Sequence, residues 1–165
     1  MLVPVGDGNI ISGVWKGFKD LLELGLIEEM PRIISVQSDK SDAVNRTIAK
    51  LKESGKSVDE VEIETVSAST RADSIAVDEP RDGVAAVRAV METWGDGVTV
   101  SDDEIIQNIS DLAASSGIFA EPAGVTSVAG LRKMAREGTS SELPGPVVCL
   151  LTGNGLKDVE AVLEE

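Results

Sequence analysis

At 165 residues with 42% apolar side chains, the chain is sized for one domain with a single core. Its net charge of −14 repels nucleic acid and anionic membrane, and 2% aromatics without a tyrosine leave little to stack on bases. The absence of histidine removes Ser-His and Cys-His nucleophile pairs, and with Cys149 as the lone cysteine it removes a structural zinc site too.

Val3 to Val5 read as a short buried strand. Asn9 to Leu26 carry apolar residues at a helical period, with Gly25 as a stop. Arg32 to Val36 give a second strand, through Ile33-Ile34-Ser35-Val36, and Ser41 to Ser54 a helix ending at Gly55. Asp59 to Glu64 alternate polar and apolar, which suits an exposed strand or an extended arm. Ser67 to Ser74 read as loop. Arg81 to Trp94 form a helix with Val84, Val87, Val90 and Met91 inward, broken by Gly95 and Gly97 before the strand Val98 to Val100. Ser101 and Glu104 make a capping box for a helix to about Ser116. Glu121-Pro122-Ala123 opens another helix towards Glu137. Thr139 to Pro146 connect it to the most apolar strand, Val147 to Leu151, where Cys149 is expected to be buried and inert. The turn Thr152 to Gly155 and a short helix end the chain.

Apolar strands alternating with helices predict the α/β class: an open, mostly parallel twisted sheet with helices on both faces. Ligands in such sheets sit beyond the carboxyl ends of the strands. Two glycine turns lie there, Gly6 to Ile10 and Thr152 to Gly155. The first opens a helix, so its N–H groups and the helix dipole can hold a phosphate without a basic side chain, while Asp7 caps local N–H groups. A tight turn without a ligand explains the same glycines. A dinucleotide fingerprint is the competitor: Gly6 and Gly8 fit, and Asp39 could meet a ribose, but Ile11 stands where the third glycine belongs and the next glycine is Gly13.

The acidity reads as solubility. High-salt adaptation has the same sign, but eight lysines weigh against it. A single cysteine allows no internal disulfide and fits a reducing, cytoplasmic setting. No apolar run spans a bilayer, and no charged segment leads into an apolar stretch as in a signal peptide. The chain starts almost inside its first strand, so Met1 reads either as a compact N-terminus or as a cut point in a longer protein.

The blocks "VPVGDGNIISGVWKGF", "SIAVDEPRDGVAAVRAV", "VSDDEI", "GIFAEPAGVTSVAGL" and "LTGNGLKD" run in order from Val3 to Asp158. Together they resemble the threonine synthase family, pyridoxal-phosphate enzymes of fold type II. The resemblance covers the C-terminal portion of such an enzyme and implies that residues 1–165 are one α/β domain, the cofactor-cradling part of its large domain. It implies pyridoxal 5′-phosphate as cofactor, with Gly6, Asp7, Gly8, Asn9 and Ile10 at the family's phosphate loop, written G-N-x-G-N. Asp7, Asn9 and Ile10 depart from that spelling, which puts side-chain contacts there in doubt. Thr152 matches the residue whose hydroxyl meets the pyridine nitrogen, although a hydroxyl capping its own turn explains it without a ligand. Glu121 is placed at the cofactor cleft, or is simply an acid favoured by the helix dipole.

The family's Schiff-base lysine and the asparagine that meets the cofactor's 3′-hydroxyl belong upstream of everything present. Lys16, Lys19 and Lys157 lie in matched blocks, and none matches the Schiff-base position. The resemblance thus implies no catalytic residue and no metal in this chain. Its partners would be the missing N-terminal half, an amino-acid phosphate substrate and a second copy in a homodimer. The whole enzyme would convert O-phosphohomoserine and water to threonine and phosphate. A cysteate synthase, an amino-acid dehydratase or a non-catalytic nucleotide-binding module are the alternatives.

Overall fold

Three parallel strands form the sheet of the computed structural model, which describes residues 1–143 and 145–163. They are β1 (Leu2–Pro4), β2 (Ile34–Ser38) and β3 (Gly97–Val100), in the order β1-β2-β3, with Leu2 opposite Ile34 and Val36 opposite Val98. The helices are α1 (Asn9–Glu23), α2 (Ala43–Ser54), α3 (Gly83–Glu92), α4 (Asp102–Ser116), α5 (Pro122–Arg136) and α6 (Glu160–Leu163). Leu2, Ile34, Val36 and Val100 pack with Ile105 and Ile109 of α4 and with Val125 and Ala129 of α5. Val3 and Val5 pack with residues of α1, α2 and α3 on the opposite face. Covering both faces is what makes such strands read as unbroken apolar runs. This is the open, parallel α/β sheet with helices on both faces that the sequence predicts.

The capping box forms in full: Ser101 Oγ accepts from Glu104 N–H, and Glu104 Oε2 accepts from Ser101 N–H at 2.9 Å. Other elements differ from the sequence expectation. β2 begins and ends two residues later than predicted, because Gln37 and Ser38 are strand residues whose polar groups are satisfied inside. Gln37 donates to Val5 O at 3.1 Å and accepts from Asn45 N–H at 2.8 Å. Asp59 and Glu60 lie in a 3₁₀ turn, and 61–64 run as an extended arm outside any ladder. Val84 is exposed, and Ala86 and Ala89 fill the inner face of α3 in its place.

The predicted strand 147–151 is reduced to one bridge, Leu2 to Cys149, made by Leu2 N–H to Val148 O (2.8 Å) and Leu150 N–H to Leu2 O (3.0 Å). Side alternation along β1 aims the Pro4 nitrogen at this same edge, and proline has no N–H to extend the ladder. Cys149 is therefore half-buried rather than buried, with Sγ 3.7 Å from Ser127 O. Burial still pushes its thiol pKa up against the opposing pull of the N-terminal ammonium. Among the described residues no helix is long and apolar enough to cross a membrane.

Candidate functional site

Val5 N–H still reaches Val36 O at 3.0 Å, and the chain then leaves the sheet. Gly8 takes φ +97°, and α1 starts at Asn9 without a side-chain cap or an acidic residue in its first turn. Among the described residues, no acceptor meets the N–H groups of Gly6 to Ile11. The first to bond is Ser12 N–H, to Gly8 O at 3.1 Å. A run of free N–H groups at the positive end of a four-turn helix has the donors and the dipole to hold an anion.

Asp7 does not cap these groups, contrary to the local cap expected. Its Oδ1 accepts from Arg81 N–H at 2.9 Å, and its carbonyl accepts from Asp82 N–H at 2.9 Å. Asn9 Nδ2 donates to the Asp82 carboxylate. The loop is thus strapped to the start of α3. Both glycines are demanded by packing: a Cβ on Gly8 would lie 2.7 Å from Asp82 O, and one on Gly6 would lie 2.9 Å from Ile75 Cα.

The second wall comes from Phe119–Gly124 and Thr152–Lys157, zipped together. Glu121 N–H donates to Gly153 O at 3.1 Å, and Gly155 N–H to Phe119 O at 2.9 Å. Asn154 Oδ1 caps the turn by accepting from Leu156 N–H at 2.9 Å. Thr152 is therefore not needed as a cap. Its exposed hydroxyl makes no hydrogen bond to any described residue. Glu121 is 5% exposed and pairs with Lys157 Nζ at 3.1 Å, and Lys157 also donates to Ser74 Oγ at 3.0 Å.

Between the two walls lies a cleft of about 190 Å³ that brings together Gly6, Asp7, Gly8, Asn9, Ile10, Glu121 and Thr152. Asp39 is outside it, and a side chain at Gly13 would meet open space, so packing does not demand a glycine there. Lys16 is paired with Asp20 on α1, and Lys19 lies over the Trp15 ring. Lys157 does line the cleft but is engaged as described.

Sequence reasoning missed two parts of this site. Ser74 and Ile75 sit in the 3₁₀ turn Asp73–Ile75 and form the back wall. Asp102 fixes that segment: it accepts from Thr70 Oγ1 (2.5 Å), Arg71 N–H (3.1 Å), Ser38 Oγ (3.0 Å) and Lys40 Nζ (3.0 Å). Both lie inside blocks that carry the resemblance, but no local motif announces their contacts, since the partners lie tens of residues apart. A larger open concavity, about 630 Å³, lies between α2 and residues 56–62. Its walls are mostly solvated Lys and Glu side chains, and buried Thr47 already donates to Ala43 O and accepts from Glu64 N–H. It offers no free polar group comparable to the cleft.

Comparison with known proteins gives a consistent outcome. The family described as "Pyridoxal-phosphate dependent enzyme" matches residues 1–153. Threonine synthase of Methanocaldococcus jannaschii is 33% identical over 163 residues, which is 99% of this chain and 38% of that protein. The chain therefore spans well under half the length of this relative. Threonine deaminase isoform 2 of Solanum lycopersicum superposes with a TM-score of 0.71 at 20% identity, over 99% of this chain and 42% of that one. A threonine synthase of Brucella melitensis, solved with pyridoxal phosphate bound, has a TM-score of 0.58 at 20% identity, over 97% of this chain and 36% of that one. At such identities the two structures speak for the fold.

Proposed function

Because the chain belongs to the pyridoxal-phosphate-dependent enzyme family, whose cofactor is pyridoxal 5′-phosphate, we propose that it is the cofactor-cradling part of a threonine synthase. The complete enzyme would convert O-phospho-L-homoserine and water to L-threonine and phosphate. The observation that carries the reading is the run of unpaired N–H groups from Gly6 to Ile11, facing an unpartnered Thr152 hydroxyl across one cleft.

The residues fit the group. Main-chain N–H groups hold the cofactor's phosphate, so the departures at Asp7, Asn9 and Ile10 from the family spelling cost nothing at the backbone. Asp7 is turned to Arg81 N–H, which keeps its charge engaged. The helix dipole offsets part of the repulsion from a net charge of −14. Thr152 offers the ring nitrogen a neutral hydroxyl, which does not force that nitrogen to stay protonated as a carboxylate would. When bound, the cofactor supplies an electron sink for bond cleavage in the amino-acid substrate. The Schiff-base lysine belongs to the part of the enzyme not contained in this chain, as do most substrate contacts. The threonine synthase assignment over a dehydratase rests on the sequence relatives, since the superpositions alone speak only for the fold.

Gly8→Val cannot test this, because the left-handed φ and the Asp82 carbonyl forbid the side chain whatever binds. Amide NMR of the labelled chain does. Inorganic phosphate and pyridoxine 5′-phosphate, which lacks the aldehyde and so forms no Schiff base, should both shift the amides of Gly6 to Ile11. Thr152→Val should weaken only the second ligand, by about two- to ten-fold for one neutral hydrogen bond. Shifts confined to other regions would overturn the assignment. Tighter binding of a dinucleotide would favour the nucleotide-binding alternative.

A further inference from the structure

We propose that Glu121 and Lys157 act as one positioning pair that fixes the distance between the phosphate-binding loop and Thr152. This rests on the cofactor reading and extends it from the residues that touch the group to those that hold them in place.

Glu121 is buried, and a buried carboxylate needs a charged partner. Lys157 Nζ supplies it at 3.1 Å. The Glu121 side chain lies directly over Gly153: a Cβ there would come within 2.2 Å of its Cδ. The same residue's N–H holds Gly153 O at 3.1 Å. Gly153, the residue after Thr152, is thus pressed by the side chain and tethered by the backbone of one residue. Lys157 carries the frame across the cleft to Ser74 Oγ at 3.0 Å. The next residue, Ile75, backs Gly6 so closely that no Cβ fits between them. One continuous set of contacts therefore joins Gly6 to Thr152 through Ile75, Ser74, Lys157, Glu121 and Gly153. An apolar residue at 121 could fill the same space, but it would not register the turn against Ser74.

The test compares wild type with Lys157→Met, Glu121→Gln, the double variant and Lys157→Arg. Two readouts need no activity: hydrogen exchange at the Glu121 amide, and NMR titration with inorganic phosphate and pyridoxine 5′-phosphate. Lys157→Met should speed exchange at Glu121 and weaken pyridoxine 5′-phosphate by about five-fold, while leaving inorganic phosphate unchanged. Lys157→Arg should restore binding. The double variant should be no worse than the weaker single, since the two act as a unit. It also carries the test if Lys157→Met fails to fold around a stranded carboxylate. Equal loss for both ligands would make Lys157 a direct anion ligand and overturn the proposal. So would additive losses, or unchanged binding of pyridoxine 5′-phosphate. If wild type itself does not bind pyridoxine 5′-phosphate, the cofactor reading fails first and takes this inference with it.

Discussion

Asp102→Asn should destabilise the chain by about 3 kcal/mol and loosen the back wall of the cleft. Asp102 is 4% exposed and accepts four hydrogen bonds. Bonds to a charged acceptor contribute about 1.5–3 kcal/mol each, so a simple sum exceeds about 6 kcal/mol. The real figure is smaller for three reasons. Lys40 is half-exposed, so its pairing contributes about 1 kcal/mol or less. Burying the carboxylate carries its own desolvation cost. Asparagine keeps one oxygen, which can still accept from Thr70 and Ser38 where Oδ1 does now. What is lost is Oδ2, replaced by an NH₂ that faces two donors, Arg71 N–H and Lys40 Nζ. For a chain of this size about 3 kcal/mol lowers Tm by about 6–12 °C.

The same residue sets a pH dependence. Burial pushes the Asp102 carboxyl up, but hydrogen bonds from Thr70, Lys40, Arg71 and Ser38 outweigh it and hold the pKa below the ordinary aspartate value. A group depressed in the folded state stabilises fully above its unfolded pKa and loses that contribution as pH falls through the folded one. The gap between wild type and Asp102→Asn should therefore be complete at neutral pH and narrow below about pH 4. Denaturant melts at pH 7 and in acid measure it, with amide exchange at Ser74 and Ile75 reporting the cleft wall. A gap under about 1 kcal/mol at neutral pH, or one that pH leaves unchanged, would refute the reasoning.

Two further outcomes are expected. Mixed with pyridoxal phosphate and O-phosphohomoserine, the chain alone should release no phosphate beyond the free-cofactor rate; turnover would show that a lysine here does serve as anchor. Gly95→Ala should cost about 1–3 kcal/mol in thermal melts, because the new Cβ would sit 1.8 Å from Ile33 O; an unchanged melting temperature would mean the backbone yields freely there.

What the sequence made legible was local or periodic. The Ser101–Glu104 box spans four residues, and the faces of α4 and α5 repeat at helical spacing. Gln37 and Ser38 read as polar because their partners, Val5 O, Asn45 N–H and Asp102, lie elsewhere in the chain. The strand at 147–151 was overread because its apolarity says nothing about Pro4 on the neighbouring edge. Ser74 was illegible for the same reason: its hydrogen-bond partner in the cleft, Lys157, lies eighty-three residues away.

The glycines of the Gly6 to Ile10 loop are the weakest witnesses to a ligand. Gly6 is required by Ile75 and Gly8 by Asp82, so both would be glycine in a loop that binds nothing. Groups left without a partner are more telling, because packing does not require them. A helix start lacking both a side-chain cap and a first-turn acid forgoes stabilisation that α4, with Ser101 and its acidic first turn, takes in full; α2, α3 and α5 lack both as well, so what sets α1 apart is what its start faces. Helices α1 and α4 both begin at the carboxyl end of a strand in one chain, and they differ in what faces them. The start of α1 opens on the cleft beside Thr152, whereas α4 starts on Asp102 and its four donors. That contrast favours an anion at α1 and a structural role at α4, and it does so independently of any glycine pattern.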